Sequence, residues 1–219
     1  MKNNIKAIIF DLDGTLFDSE GYQWQGWVMP LRKYGIELSK EQYFKYGGKQ
    51  GEQIESEIYK DFELELKSGE ILKQKMELLE KWFAEEKLDL MPFAKEAVEY
   101  FSKDKKYKIA LCSGGNKSEV MMKLENNNFD HYFAVITTGD EVKIGKPNPD
   151  IYLLCAKKLG LEPHECLAIE DTMYGLQAAK DAGMICYAVP NQYSKNQDFS
   201  RADKILNSLN DLIVEFKDE

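Results

Sequence analysis

The chain has 219 residues, with 29 Lys or Arg against 38 Asp or Glu and a formal net charge of -9. That length suits one domain carrying an insertion, and the acidic balance argues against a nucleic-acid-binding protein because no basic surface dominates. No stretch approaches the roughly 18 uncharged apolar residues of a membrane span, and the amino terminus lacks a signal-peptide pattern, so a soluble, cytoplasmic protein with no membrane partner is expected.

Lys6 to Phe10 is an apolar run that ends in Asp11-Leu12-Asp13-Gly14-Thr15. Ala7 to Phe10 carry no charge, as in a central parallel strand buried on both faces, which would bring both carboxylates out at its carboxyl end. From Ser19 to about Leu88 the pattern is helical throughout. Trp24, Trp27, Val28 and Leu31 mark a first helix reaching Tyr34, and Ser39 with Gln42 reads as a capping box opening a second. Gly47-Gly48-Lys49-Gln50-Gly51 reads as a flexible loop, Glu52 to Tyr59 as a third helix, and Leu72, Met76, Leu79 and Phe83 as a long amphipathic fourth.

From Pro92 the pattern changes to alternating helix and strand. Strands are expected over Lys108–Ser113, Ala134–Thr138, Cys166–Glu170 and Ile185–Val189. Helices are expected around Ala94–Phe101, Val120–Leu124, Ile151–Leu159, Tyr174–Ala182 and Ser208–Phe216, the last opened by a Ser208/Asp211 capping box. This alternation implies an α/β fold, a doubly wound parallel sheet of Rossmann-like type, with an all-helical cap inserted after the first strand. The expected division is 1–18 and 89–219 for the catalytic core and 19–88 for the cap. Cys112, Cys155, Cys166 and Cys186 sit in or beside apolar runs and never form C-x-x-C, so they read as reduced core thiols. His131 and His164 stand beside no candidate nucleophile.

Three later segments supply groups that complement Asp11. Ser113-Gly114-Gly115-Asn116 precedes a helix, and a hydroxyl with free backbone N–H groups at a helix start suits phosphate oxygens. Lys146 is stiffened by the prolines of Gly145-Lys146-Pro147-Asn148-Pro149-Asp150 and can neutralise charge on a transferring phosphoryl group. Glu170-Asp171 ends a second apolar strand in carboxylates, which with Asp11 would form an oxygen cage for Mg²⁺.

In this order, these four motifs strongly resemble the haloacid dehalogenase superfamily, and within it the group of β-phosphoglucomutases and small sugar-phosphate phosphatases. The resemblance implies that Asp11 attacks phosphorus and forms an aspartyl-phosphate, while Asp13 is general acid and then base. It implies Mg²⁺ ligated by Asp11, the backbone carbonyl of Asp13, Asp171 and Glu170, with Ser113, the Gly114 N–H and Lys146 holding the phosphoryl oxygens. Dehalogenases of the superfamily need neither the metal nor the second acid, so Asp13 and Glu170-Asp171 favour phosphoryl transfer.

The expected activity is Mg²⁺-dependent hydrolysis of a small phosphorylated metabolite such as a sugar phosphate, and a monomer is expected. The alternative is a sugar phosphomutase, but such enzymes carry a cap histidine where this chain has Gln23, and a loop arginine where it has only Lys49. Lys49 is then the candidate for contacting a second part of the substrate, and Trp24 either faces the site or packs the cap. A non-enzymatic phospho-receiver or binding protein ranks lower, because receivers lack a helical insertion and a binding protein has no need of the whole set.

Overall fold

The computed structural model describes residues 4–47, 49–85 and 87–217, so Met1–Asn3, Gly48 of the expected loop, Glu86 and Asp218–Glu219 lie outside the described residues. The uncharged segment Ala7–Phe10 forms β1 and is fully buried. It lies between β2 (Lys108–Cys112) and β4 (Cys166–Glu170), both parallel to it, with Ile9 opposite Ala110 and Ala168. With β3 (Val135–Thr137), β5 (Ile185–Ala188) and β6 (Lys204–Ile205) the sheet has the order β3-β2-β1-β4-β5-β6. The edge strand β6 was not expected, because two exposed residues carry no periodicity to read.

Side chains alternate across β1, so Ile8 and Phe10 join one apolar layer and Ala7 and Ile9 the other. The first layer is completed by α5 (Ala94–Lys103), α6 (Lys117–Asn126) and α9 (Leu209–Lys217), and the second by α7 (Asp150–Leu159) and α8 (Met173–Asp181). Each fully buried Ile, Leu or Phe in these layers contributes about 1.5–3 kcal/mol. All four cysteines are free and buried, as expected of core thiols.

Between β1 and α5 the regular elements among the described residues are helices: α1 (Glu20–Leu31), α2 (Lys40–Phe44), α3 (Gly51–Asp61) and α4 (Glu70–Glu85), joined by turns and loops. They enclose their own cluster around Trp27, Ile58 and Ile71, while Leu79 and Phe83 of α4 reach down into the first layer of the sheet. The two chain crossings run side by side, with Asp18 N donating to Asp89 O at 2.9 Å and Met91 N to Leu16 O at 2.9 Å.

The Ser39/Gln42 capping box is present. The first helix stops at Leu31 rather than Tyr34 and passes into a 3₁₀ turn over Arg32–Tyr34, because Pro30 inside it has no N–H to donate and Gly35 takes a left-handed φ of 74°. At α9 the Asp211 carboxylate accepts from the Asn207 N–H at 2.9 Å instead of forming a box with Ser208. No helix among the described residues is long and apolar enough to cross a membrane.

Candidate active site

The chain leaves β1 toward β2 on one side and later returns to β4 on the other, so the carboxyl ends of β1 and β4 flank the crevice where open α/β sheets bind ligands. Asp11 stands at the first end and Asp171 at the second. Asp11 is anchored by its own N–H, which donates to Ile169 O at 3.0 Å. Gly14 turns the chain with a φ of +80°, and a Cβ there would lie 2.3 Å from Asp171 Oδ2, so turn and neighbour both demand glycine. Asn191, from the loop after β5, donates to Gly14 O at 3.0 Å and to Asp171 Oδ2 at 2.8 Å, while Thr15 Oγ1 donates to Asp171 Oδ1 at 3.4 Å.

Lys146 is 2 % exposed and donates to Asp11 Oδ1 at 2.5 Å, Glu170 Oε1 at 2.6 Å and Cys112 O at 3.2 Å. Burial disfavours its ammonium, but Asp11 and Glu170 outweigh that and hold it charged, well above the usual lysine range. Glu170 is fully buried, and its Oε1 also accepts from Tyr152 OH at 2.6 Å, so that oxygen is taken up by Lys146 and Tyr152 while Oε2 accepts from Thr172 Oγ1 at 3.5 Å. Burial, reinforced by neighbouring carboxylates, pushes Asp11 and Asp171 well above the ordinary aspartate range.

Oxygens of Asp11, Glu170 and Asp171 lie within 4.8 Å of one another. A single ammonium leaves three carboxylates under-compensated, and their hard oxygens suit a divalent cation such as Mg²⁺, so the donor set fits one. These shifts are what such a cation would reverse.

On the neighbouring strand end, Ser113 Oγ accepts the Gly115 N–H at 3.1 Å, which leaves its own hydrogen for another acceptor. Asn116 caps α6 by accepting from Glu119 N at 2.9 Å, so the Gly114–Gly115 turn opens onto a helix start. Gly139 braces that turn, its N–H donating to Gly115 O at 2.7 Å where a Cβ would meet Gly114 O at 2.2 Å. Thus Asp11, Asp13, Ser113, Gly114, Lys146 and Asp171, drawn from four segments, line one cavity of about 650 Å³ beneath the helical insertion.

The sequence gives little sign of the polar network that joins that roof to the core. Asp13 Oδ1 accepts from Ser19 Oγ at the crossing and from Lys123 Nζ at 2.5 Å, and Lys123 also donates to Glu119 Oε1 at 2.6 Å. Gln23 of α1 donates to the same Glu119 oxygen. Lys123 with Lys75 draws the Glu119 carboxyl down to about 2 against the effect of its burial. Glu20 also lines the cavity, where burial and then Asp13 push its carboxyl up to about 7.

Gln50 joins roof to floor, accepting from Gly145 N at 3.0 Å and donating to Gly139 O at 2.6 Å. Among these, only the i,i+4 spacing of Glu119 and Lys123 was a readable signal, and such pairs usually lie on solvated faces. Of the expected cap residues, Gln23 lines the cavity. Lys49 does too, but its ammonium is held by Glu57 at 2.6 and 2.7 Å and lies 4.7 Å from the centre of the Tyr174 ring. Trp24 is not brought to the cavity: its indole donates to Leu38 O at 2.9 Å and packs within the insertion, under Lys40.

Residues 8–189 match the family model described as haloacid dehalogenase-like hydrolase. The chain is 31% identical over 220 residues to a bifunctional riboflavin kinase/FMN phosphatase of Arabidopsis thaliana, covering 98% of this chain but only 57% of that longer protein. It is 33% identical over 184 residues to a phosphorylated carbohydrates phosphatase of Thermotoga maritima, covering 82% of each. Among solved structures it is similar to CbbY from Rhodobacter sphaeroides in complex with phosphate, with a TM-score of 0.86, 27% identity, and 95% and 96% of the two chains covered.

Proposed function

Because the chain belongs to the haloacid dehalogenase-like hydrolase family, we propose that it is a Mg²⁺-dependent phosphatase that hydrolyses a small phosphorylated metabolite, a sugar phosphate foremost, through an aspartyl-phosphate on Asp11. The observation that carries this reading is Asp11 itself, held through Oδ1 by Lys146 at 2.5 Å and lining, with Asp13, the cavity beneath the helical insertion. Its Oδ2 attacks phosphorus as the bond to the ester oxygen breaks, and Asp13 gives that oxygen a proton. Water then attacks the phosphoryl group, Asp13 takes its proton, and Asp11 is regenerated with release of phosphate. Ser113, the Gly114 N–H and Lys146 hold the remaining phosphoryl oxygens.

Asp11, Asp171, Glu170 and the Asp13 carbonyl are the residues that would hold Mg²⁺, which when bound supplies positive charge to phosphoryl oxygens and compensates the carboxylates around it. The segments 1–18 and 89–219 act as the catalytic core, and 19–88 as a cap that closes by bending at the paired crossings and shuts out bulk water. Hydrolysis is favoured over a mutase route because Gln23 cannot titrate near neutral pH and is committed to Glu119, while Lys49 is committed to Glu57. The similarity to the phosphorylated carbohydrates phosphatase of Thermotoga maritima supports a sugar phosphate.

The test is phosphate release from a panel of sugar phosphates, nucleotides and pyrophosphate, with Mg²⁺ and with chelator, while glucose 1-phosphate is followed for isomerisation. Mg²⁺-dependent release that is abolished in Asp11→Asn is the expected result. Turnover by Asp11→Asn, or isomerisation without release, would overturn the reading.

A further inference from the structure

Lys123 is fully buried and is not among the residues lining the cavity, yet its ammonium reaches the side chain proposed to move protons. It sits on α6, a core helix, and three neighbours fix it. Glu119 one turn earlier accepts at 2.6 Å, Asp13 accepts at 2.5 Å, and the Phe83 ring of the insertion lies 5.0 Å from the nitrogen. Asp13 therefore has one oxygen, Oδ1, engaged twice, by Lys123 and by Ser19, whereas among the described residues no hydrogen bond is made to Oδ2. A carboxylate pinned through one oxygen can rotate little, and Asp13 lines the cavity with its other oxygen left without a donor among the described residues. Glu119 in turn accepts from Gln23 of α1, so the set runs from the insertion through Glu119 and Lys123 to Asp13.

We propose that Lys123 is a positioning residue for Asp13: with Ser19 it occupies Oδ1 and so leaves Oδ2 as the oxygen that exchanges protons with the ester and with water. Glu119, gripped by Gln23 when the insertion sits on the core, keeps Lys123 in place. This rests on the acid–base role given to Asp13 above, and it adds a residue that never touches substrate. In the first step the Oδ2 proton passes to the departing ester oxygen as the P–O bond breaks. In the second, Oδ2 takes a proton from the attacking water. Lys123 keeps all of its own protons throughout.

The test exploits the leaving group. An alkyl phosphate must have its departing oxygen protonated, while p-nitrophenolate leaves unaided, and kcat/KM reports only the steps up to release of the alcohol. With Mg²⁺ present, Lys123→Met is expected to lower kcat/KM for an alkyl phosphate about 100-fold, the lower range of general acid catalysis, and that for p-nitrophenyl phosphate no more than about 3-fold. Lys123→Arg, which keeps a cation within reach of Oδ1, should recover most of the alkyl activity. The double variant Glu119→Gln/Lys123→Met removes both charges of the buried pair, so it keeps the test in hand if the single variant fails to fold, and should show the same selectivity between esters. Equal losses on both esters, or no loss on either, would overturn the inference while leaving the phosphatase reading intact. A wild-type protein that hydrolyses neither ester would take both down.

Discussion

The Glu170 carboxylate lies directly against Gly175: a Cβ at position 175 would lie 2.0 Å from Glu170 Oε1 and 2.1 Å from Oε2. The Glu170 carboxylate is thereby wedged between the first turn of α8, the Lys146 ammonium at 2.6 Å and the Tyr152 hydroxyl at 2.6 Å. Gly175→Ala must push Glu170 off at least one of these partners. The expected cost is about 1–3 kcal/mol from overpacking, with a fall in turnover because Lys146 loses half of its carboxylate support. Gly21→Ala is the matched control, since nothing lies within 4 Å of a Cβ there. Removing that glycine from α1 should stabilise by up to about 1 kcal/mol. Urea denaturation of the two variants separates the outcomes, and equal stabilities would contradict the wedge.

Asn191 links the turn at Gly14 to Asp171, donating to both. Asn191→Leu removes the group that orients a cation ligand without touching the ligand itself. The magnesium concentration that gives half of the full thermal stabilisation should rise about 10–100-fold, as is usual for the partners of metal ligands. Calorimetric titration of the folded protein with MgCl₂ checks this independently of turnover, and an unchanged affinity would remove Asn191 from the site.

Glu20 is buried, and its Oε2 has no hydrogen-bond partner among the described residues. Its carboxyl is raised from 4.5 to about 7, by burial and then by Asp13. The folded chain therefore holds this proton more tightly than the unfolded one, so stability falls as pH rises from about 4.5 to about 7 and is level above that. Glu20→Gln should not show that fall. At about pH 8 it should be the more stable protein by up to about 3 kcal/mol, and at about pH 4 the two should agree. Thermal melts across that range decide it, and parallel curves would mean that Glu20 stays ionised in the folded chain.

Gln50 makes the two hydrogen bonds that tie the insertion to the loops before Lys146 and after β3. Gln50→Ala should loosen closure without altering either half. Two neutral bonds at about 1 kcal/mol each correspond to roughly a 30-fold smaller closed population. The expected signs are a KM raised about 3–30-fold with a smaller change in kcat, and faster proteolytic cleavage near the crossings. A KM equal to wild type would mean that other contacts hold the roof down.

The groups legible in the sequence share a property. Asp11, Ser113, Lys146 and Asp171 each sit at the end of an apolar run or the start of a helix, where local pattern alone says that a strand has finished and its polar end faces the ligand crevice. Asp13 was legible in the same way, but its pairing with Lys123 was not. Lys123 and Asp13 are separated by 110 positions, and nothing in either neighbourhood announces the other. Trp24 could be placed on α1 but not rotated about it, because its helical spacing suited both a cavity-facing and an inward-packed indole.

The parallel α/β core, the helical insertion and the acidic strand ends are written in local pattern, because periodicity, glycine stops and charge-free runs act over a few residues at a time. Which buried charges meet is set by the folded arrangement. Glu170 turns to Lys146, Lys49 to Glu57, and Lys123 to Asp13 beneath the roof. A charge in the interior is tolerated only where folding brings an opposite one within hydrogen-bonding reach, and that pairing belongs to distant segments rather than to any one of them.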